Sequence, residues 1–376
     1  MDRFPSAMLD LLVMLLLCSA PASGGEPLTL FVHPVLGDDG APSAGWTPDM
    51  PLKSLAETQR RLRGVLREQP GRSLVVELLP GSHRVPRGGL VITAEDSTSR
   101  VIWRGSSNGS TSITGGEAVT GWTATTDPSL PKGTMVAPAP KLPSGVARHL
   151  YVNGVRASRT RVNASLVLPG GRTDKTGALL ANMAIQTDTV DGQEHADFYS
   201  TPHELNWSNP IDIEFVYPVA MSESRCSLSH IERNTTSNTT HLVMKQPCMW
   251  NLVNRPWGAI KTPPIWIENL REELQHPGQF YFDRASNQIL YYPLSGQDMS
   301  TVSAVVAVEE ILVKHDGASN HTWHNVKFEY GTWLRPQQGG GFVEQQTGAC
   351  NLCPVGTPVP SEGCGMNGTR LFCYGC

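Results

Sequence analysis

PLKSLAETQRRLRGVLR, Pro51 to Arg67, is the one stretch of this 376-residue chain that reads well as a helix. Leu52, Leu55, Leu62, Val65 and Leu66 fall on one stripe at the 3.6-residue period, with Arg60, Arg61 and Arg63 elsewhere around it. The chain beyond Arg67 has a different texture. Leu74 to Leu79, Leu90 to Thr93, Val101 to Trp103 and Ser112 to Thr114 are short β-branched or apolar runs, with Gly or Pro in each gap. No two of these runs are joined by a tight two-residue Asn-Gly loop, and the runs recur at about 11 to 16 residues, as rungs of a parallel solenoid would. A β-sandwich has similar spacing. The helix ahead of the first rung favours the solenoid, because an open solenoid end exposes unpaired backbone and apolar side chains unless something covers it. The residues Leu52 to Leu66 are therefore expected to be a cap.

Moving outward, residues 120–300 are rich in Trp, Pro and turn residues, with isolated strands such as Leu150 to Val152 and Ile211 to Tyr217, and read as an inserted β domain. Rungs are expected to resume with Val305 to Val313 and Val326 to Phe328, across the turn Gly317 to Asn320. Gly and Pro, 36 and 29 in number, suit many short strands joined by turns. The expected organisation is a leader at 1–24, cap and first rungs at 25–119, the insert at 120–300, resumed rungs at 301–348 and a cysteine-rich tail at 349–376.

The leader rests on Arg3, the apolar run Met8 to Leu17 and the small residues Ala20, Ala22 and Ser23, a run too short to cross a bilayer. No later segment is apolar for long enough, so no span is expected after cleavage. Seven Asn-x-Ser/Thr triplets, at Asn108, Asn163, Asn206, Asn234, Asn238, Asn320 and Asn367, agree with secretion and glycosylation. A net charge of −4 offers no basic field for nucleic acid.

Eight cysteines divide the same way. Cys18 leaves with the leader, and Cys226 with Cys248 is the one pair in the body of the mature chain, so a disulfide around the Asn234 to Thr240 loop is expected. Cys350, Cys353, Cys364, Cys373 and Cys376 crowd the tail. Their two Cys-x-x-Cys pairs match a zinc-ribbon spacing, but in an oxidising compartment disulfides are favoured over metal. Five is odd, so a free or intermolecular thiol is expected. No metal or cofactor is called for.

Candidate chemistry starts at Asp212 and Glu214. On a strand IDIEFVY they would share one face, about 6.5 to 7 Å apart at Cα, near the roughly 6.5 to 9.5 Å between carboxyls that suits inverting glycoside hydrolysis. The competing reading is structural: Arg159 and Arg161 share a strand face and can pair with these carboxylates. Aromatic density from Trp250 to Tyr292 offers sugar platforms, with Trp257, Trp266 and Tyr281 as candidates, although an alternating strand at Phe280 and Phe282 points equally to core. Asp38 and Asp39 in GDDG read as a turn before a cation site. No HExxH or phosphate-binding loop is present in the sequence, so zincin and nucleotide-dependent readings lose support.

Several stretches carry a family likeness: FVHPVLGDDG (31–40), PLKSLAETQRRLR (51–63), ELLPGSHRV (77–85), ITGGEAVTGW (113–122), LYVNGVRASRTR (150–161), IDIEFVY (211–217), PPIWIENL (263–270), PGQFYFDRASNQILYYPL (277–294) and GGGFVEQQTG (339–348). In that order and spacing the chain resembles the right-handed parallel β-helix proteins near glycoside hydrolase family 141, a branch of the pectate-lyase-like superfamily with bacterial α-L-fucosidase and xylanase activities. The resemblance implies an all-β fold, a right-handed parallel β-helix with a capping helix and an inserted β domain. It also implies a secreted glycosidase-like protein acting on or binding extracellular polysaccharide. It places catalytic acids on coils after the rung near Gly341, where this chain turns to its cysteine-rich tail and departs from the family pattern. The alternatives are a non-catalytic carbohydrate-binding or cell-surface scaffold and a truncated inactive product.

Overall fold

The computed structural model describes residues 26–167, 187–190, 193–196, 198–201, 205–219, 222–236, 238–246, 248–249, 264–334, 344–345, 348–349, 364–366 and 369–371. The leader, Trp250, Trp257, Asn367, Cys350, Cys353, Cys373 and Cys376 lie outside the described residues, and of Cys364 only the backbone is described. Most elements are strands. The chain divides into two compact units, one reaching to Gly115 and including Ile311–Gly331, the other comprising Gly116–Glu310 and the chain from Thr332.

In the first unit, β1 (Leu28–Val32) is followed by α1 (Leu55–Glu68), β2 (Leu74–Leu78), β3 (Gly81–Arg84), β4 (Leu90–Thr93), β5 (Val101–Gly105) and β6 (Thr111–Thr114), and the unit is completed by Val313–Asp316, His321–His324 and Lys327–Glu329. All its ladders are parallel. β1, β2, β5 and His321–His324 form one stack, β3, β6 and Lys327–Glu329 a second, and β4 pairs with Val313–Asp316. The register aligns Leu30, Val76, Trp103 and Trp323 on successive strands, so one inward row is apolar at every level. Trp103 and Trp323 stack with ring centroids 4.9 Å apart and planes 15° from parallel.

The helix begins four residues later than its apolar stripe predicts, for a backbone reason. Leu52 N–H donates to Phe31 O and His33 N–H to Leu52 O, which ties Pro51 to Lys53 to β1 as extended chain. Ser54 then caps the helix, its Oγ accepting from Glu57 N–H at 3.1 Å. Asp39 accepts from the N–H groups of Lys53 and Ser54 at 2.7 and 3.1 Å, and Asp38 from Gly40 N–H, so GDDG is a turn that also holds the helix entry. Leu55, Leu62, Val65 and Leu66 pack into the same core as Leu30, Leu74 and Leu78, where each fully buried leucine contributes about 2 kcal/mol. Arg63 fastens the outer face through a forked pair to buried Asp96, Nε to Oδ1 at 2.7 Å and Nη2 to Oδ2 at 2.9 Å.

Among the described residues the second unit is built from antiparallel ladders apart from one short parallel pair, Ser158–Arg159 with Gln279–Phe280. Its largest sheet carries Glu214–Val219 between Ser222–Asn234 and Trp266–Glu268, over a core of Phe215, Tyr217, Leu228, Leu242 and Ile267. A disulfide joins Cys226 to Cys248, Cα atoms 5.5 Å apart, in that core. The apolar run expected to restart the rungs at Val305 belongs here. Ala304–Ala307 pairs antiparallel with Leu150–Val152 and Gly116–Ala118, and parallel pairing restarts at Val313. An apolar run suits either ladder, and here the antiparallel partners Leu150 and Val152 bury it. No helix among the described residues is long and apolar enough to cross a membrane.

Candidate functional site

An Asn-Gly turn starts the construction of the site. Asn153 and Gly154 take φ of 52° and 76°, which closes a two-residue hairpin between Leu150–Val152 and Val155–Arg156. The chain then pairs through Ser158–Arg159 with the strand Gln279–Asp283 and through Arg161–Asn163 with Trp266–Glu268, passing between three sheets in quick succession. Arg156, Arg159 and Arg161 are carried along this path. With Arg148, His149, Arg225, Glu268 and Trp333 they line a hollow of about 500 Å³.

Glu214 lies beneath it with no exposed side-chain surface. It is ion-paired to Arg148 and to Arg159 at 3.1 Å, with Arg225 at 3.8 Å. Arg225 also holds Glu268 at 2.7 Å and Glu223 at 3.0 Å. Arg148 and Arg159 are 4% and 8% exposed, and the Arg148 guanidinium lies 5.6 Å from the centre of the Trp333 ring. Burial alone would raise the Glu214 pKa, but the guanidiniums of Arg148, Arg159 and Arg225 outweigh it and lower the value to about 2. Burial pushes Arg148 downward from its ordinary value. Because arginine starts so far above neutrality, the pair stays ionised on both sides. A general acid needs a raised pKa near working pH, so Glu214 is unsuited to that role.

Asp212 and Glu214 do not share a strand face as expected. Pro210 starts a 3-10 turn, Pro210–Asp212, and the strand opens only at Glu214. Asp212 turns to other partners: Arg284 Nε at 3.1 Å and Asn209 Nδ2 at 2.9 Å. Of the two arginines expected to pair with these carboxylates, Arg159 does so, whereas Arg161 lies 4.6 Å over the Trp266 ring. Tyr281 is 1% exposed and its hydroxyl accepts from Asn209, so it is core rather than a sugar platform; burial raises its pKa to about 12. Trp266 stays half-buried beneath Arg161. A second hollow of about 510 Å³ is lined by Trp122, Tyr292 and Met299, with Asp298 as the one carboxylate among its lining residues.

Arg148, Arg156, Arg225, Glu268 and Trp333 were not singled out by the sequence. Long-range pairing brings them in, since Glu214 and Glu268 face each other only once their strands are joined. The local signal was the run Arg156-x-x-Arg159-x-Arg161 after an Asn-Gly turn, three arginines on a path too short to scatter them.

No family model and no curated protein matches this chain. A solved structure named as a glycoside hydrolase shares its fold, with a TM-score of 0.63 at 19% identity over 84% of this chain and 52% of that one. The chain thus spans about half the length of that protein.

Proposed function

We propose that this chain is a secreted, N-glycosylated protein that binds extracellular polysaccharide through the arginine-lined hollow of its second unit and does not hydrolyse it there. The scaffold in this reading begins a right-handed parallel β-helix, with α1 as its cap and residues 116–310 as the insert. The parallel in-register stacks of the first unit support the solenoid, and the fold shared with a glycoside hydrolase supports the carbohydrate class. The single observation that carries a binding site is the hollow itself, a concave surface with convergent polar groups and an aromatic wall at Trp333. Binding without hydrolysis follows from Glu214, a carboxylate held ionised by three arginines and with no free partner acid beside it. Secretion is supported by the leader, the Cys226–Cys248 bond and the exposure of Asn108, Asn163, Asn206, Asn238 and Asn320. The tail cysteines would supply an intermolecular disulfide.

Affinity electrophoresis of the 376-residue chain in fucosylated and xylan-type polysaccharide gels, run beside a reducing-end assay, tests this. Retardation without new reducing ends is expected. Absence of retardation in every polysaccharide would defeat the reading, and turnover lost in both Asp212→Asn and Glu214→Gln would return catalysis to that pair.

A further inference from the structure

Five guanidiniums, of Arg148, Arg156, Arg159, Arg161 and Arg225, line the hollow, against Glu268 on its wall and Glu214 beneath. Glu214 and Glu268 are already consumed by Arg148, Arg159 and Arg225. Among the described residues, Arg156 has no ion pair, and Arg161 has only the Trp266 face. The hollow therefore carries an excess of fixed positive charge in a partly enclosed volume, where field lines are focused and counter-charge is drawn in. The rigid guanidinium fork matches the two oxygens of a carboxylate or sulfate, and the bonds are charge-assisted. The rest of the chain leans the other way, at a net charge of −4, so this patch is local and not a general basic surface.

We infer that the hollow selects saccharides bearing an acid group, with Arg156 and Arg161 gripping a uronate carboxylate or a sulfate ester while the sugar ring lies towards Trp333. The inference rests on the proposed carbohydrate-binding function and names its substrate class. Arg159, which is 8% exposed with no partner at Nε, is held in place by Glu214 and Glu268 and positions the rim rather than closing on the ligand.

Titration calorimetry on the full chain separates the possibilities. The probes are a glucuronate-bearing tetrasaccharide, a sulfated disaccharide, neutral saccharides of matched length, and inorganic sulfate, each at low and at physiological ionic strength. At least one acidic saccharide is expected to bind about tenfold or more tighter than its neutral match, and to weaken as salt screens the contact. The carboxylate and sulfate arms say which acid is preferred. Arg156→Ala and Arg161→Gln should each reduce acidic-saccharide affinity about tenfold at unchanged melting temperature, whereas Arg87→Ala, an exposed arginine of the first unit, should leave it alone. Equal binding of acidic and neutral saccharides would overturn the inference and leave the carbohydrate function standing. Inorganic sulfate binding as tightly as the sulfated sugar would overturn it too. No binding of any saccharide would remove both.

Discussion

Glu214 and Glu268 stand directly opposite each other across an antiparallel ladder, and one nitrogen of Arg159 bonds both, at 3.1 and 3.4 Å. Like charges at directly opposed positions destabilise a sheet, so this strand pair depends on the arginines that surround it. The dependence explains why a pocket wall is so heavily cationic before any ligand is considered. It also gives a stability test. Arg159→Ala should destabilise the second unit by about 1.5–3 kcal/mol, the worth of a hydrogen bond to charged groups, because it removes the nitrogen shared by both carboxylates while Arg148 and Arg225 stay beside Glu214 and Arg225 beside Glu268. Arg148→Met combined with Glu214→Leu should lose less than the two single changes added together, since no unpaired charge remains. Urea unfolding of the four proteins measures this, and strict additivity would mean that the network is not coupled.

The same network sets a pH dependence. Glu214 has an ordinary pKa of 4.5 and a folded value of about 2. A depressed folded pKa stabilises the fold above the unfolded value and loses that contribution as pH falls through the folded one. Stability should therefore be full above about pH 4.5 and decline towards pH 2 by about 3 kcal/mol from this group. Glu214→Gln, although less stable at neutral pH, should show a flatter acid limb in melting scans. An acid limb of unchanged steepness would assign the loss to other carboxylates.

α1 has its own pair. Arg63 forks onto Asp96, which is fully buried and also accepts from Thr93 N–H at 2.8 Å. Asp96→Asn should lower the melting temperature of the first unit, and removal of residues 51–68 should abolish secretion of soluble protein by exposing Leu30, Leu74 and the edge of β1. A folded, monomeric, secreted deletion product would show that the helix covers nothing essential.

How much of this was legible depends on where each element gets its stability. α1 announced itself because its apolar stripe is local, and β2, β4 and β5 because apolar and β-branched residues cluster in short runs. β3, Gly-Ser-His-Arg, carries no strand propensity and exists because β6 pairs with it in register from Gly81 to Arg84. The helix start was displaced by bonds to β1 that no periodicity encodes. Arg159 was readable as a structural partner of Glu214, but the floor of the hollow was not, since Arg148, Arg225 and Glu268 lie on three separate stretches joined only by sheet pairing.

Cys226 and Cys248 are both fully buried, and the bond closes a loop with a sequence separation of 22. Non-reduced digests should yield them as one linked peptide pair, and Cys226→Ser with Cys248→Ser should cost about 3 kcal/mol by the loop-entropy argument. Alkylation of both thiols without prior reduction would contradict the bond and weaken the secretory assignment with it.

Two glycines of the first unit should respond in opposite directions to the same methyl group. Gly64 lies inside α1, and a Cβ there meets nothing within 4 Å, so Gly64→Ala should stabilise by about 0.5–1 kcal/mol through helix propensity and a less entropic unfolded chain. Gly105 ends β5, and a Cβ there would sit 2.2 Å from Asn325 O and 2.9 Å from the Thr111 Cβ. The first of these is backbone between His321–His324 and Lys327–Glu329, so it cannot swing aside as a side-chain tip would. The paired strands must separate locally, which strains the His321–His324 ladder on β5 and the stacked Trp103 and Trp323 rings. Gly105→Ala should therefore destabilise by about 1–3 kcal/mol, the usual penalty for overpacking, and shift the near-ultraviolet circular dichroism of the tryptophan pair before the global melt. Equal stability of the two variants would mean that the paired strands tolerate wider spacing, and that the close approach at Gly105 is not what holds this ladder in register.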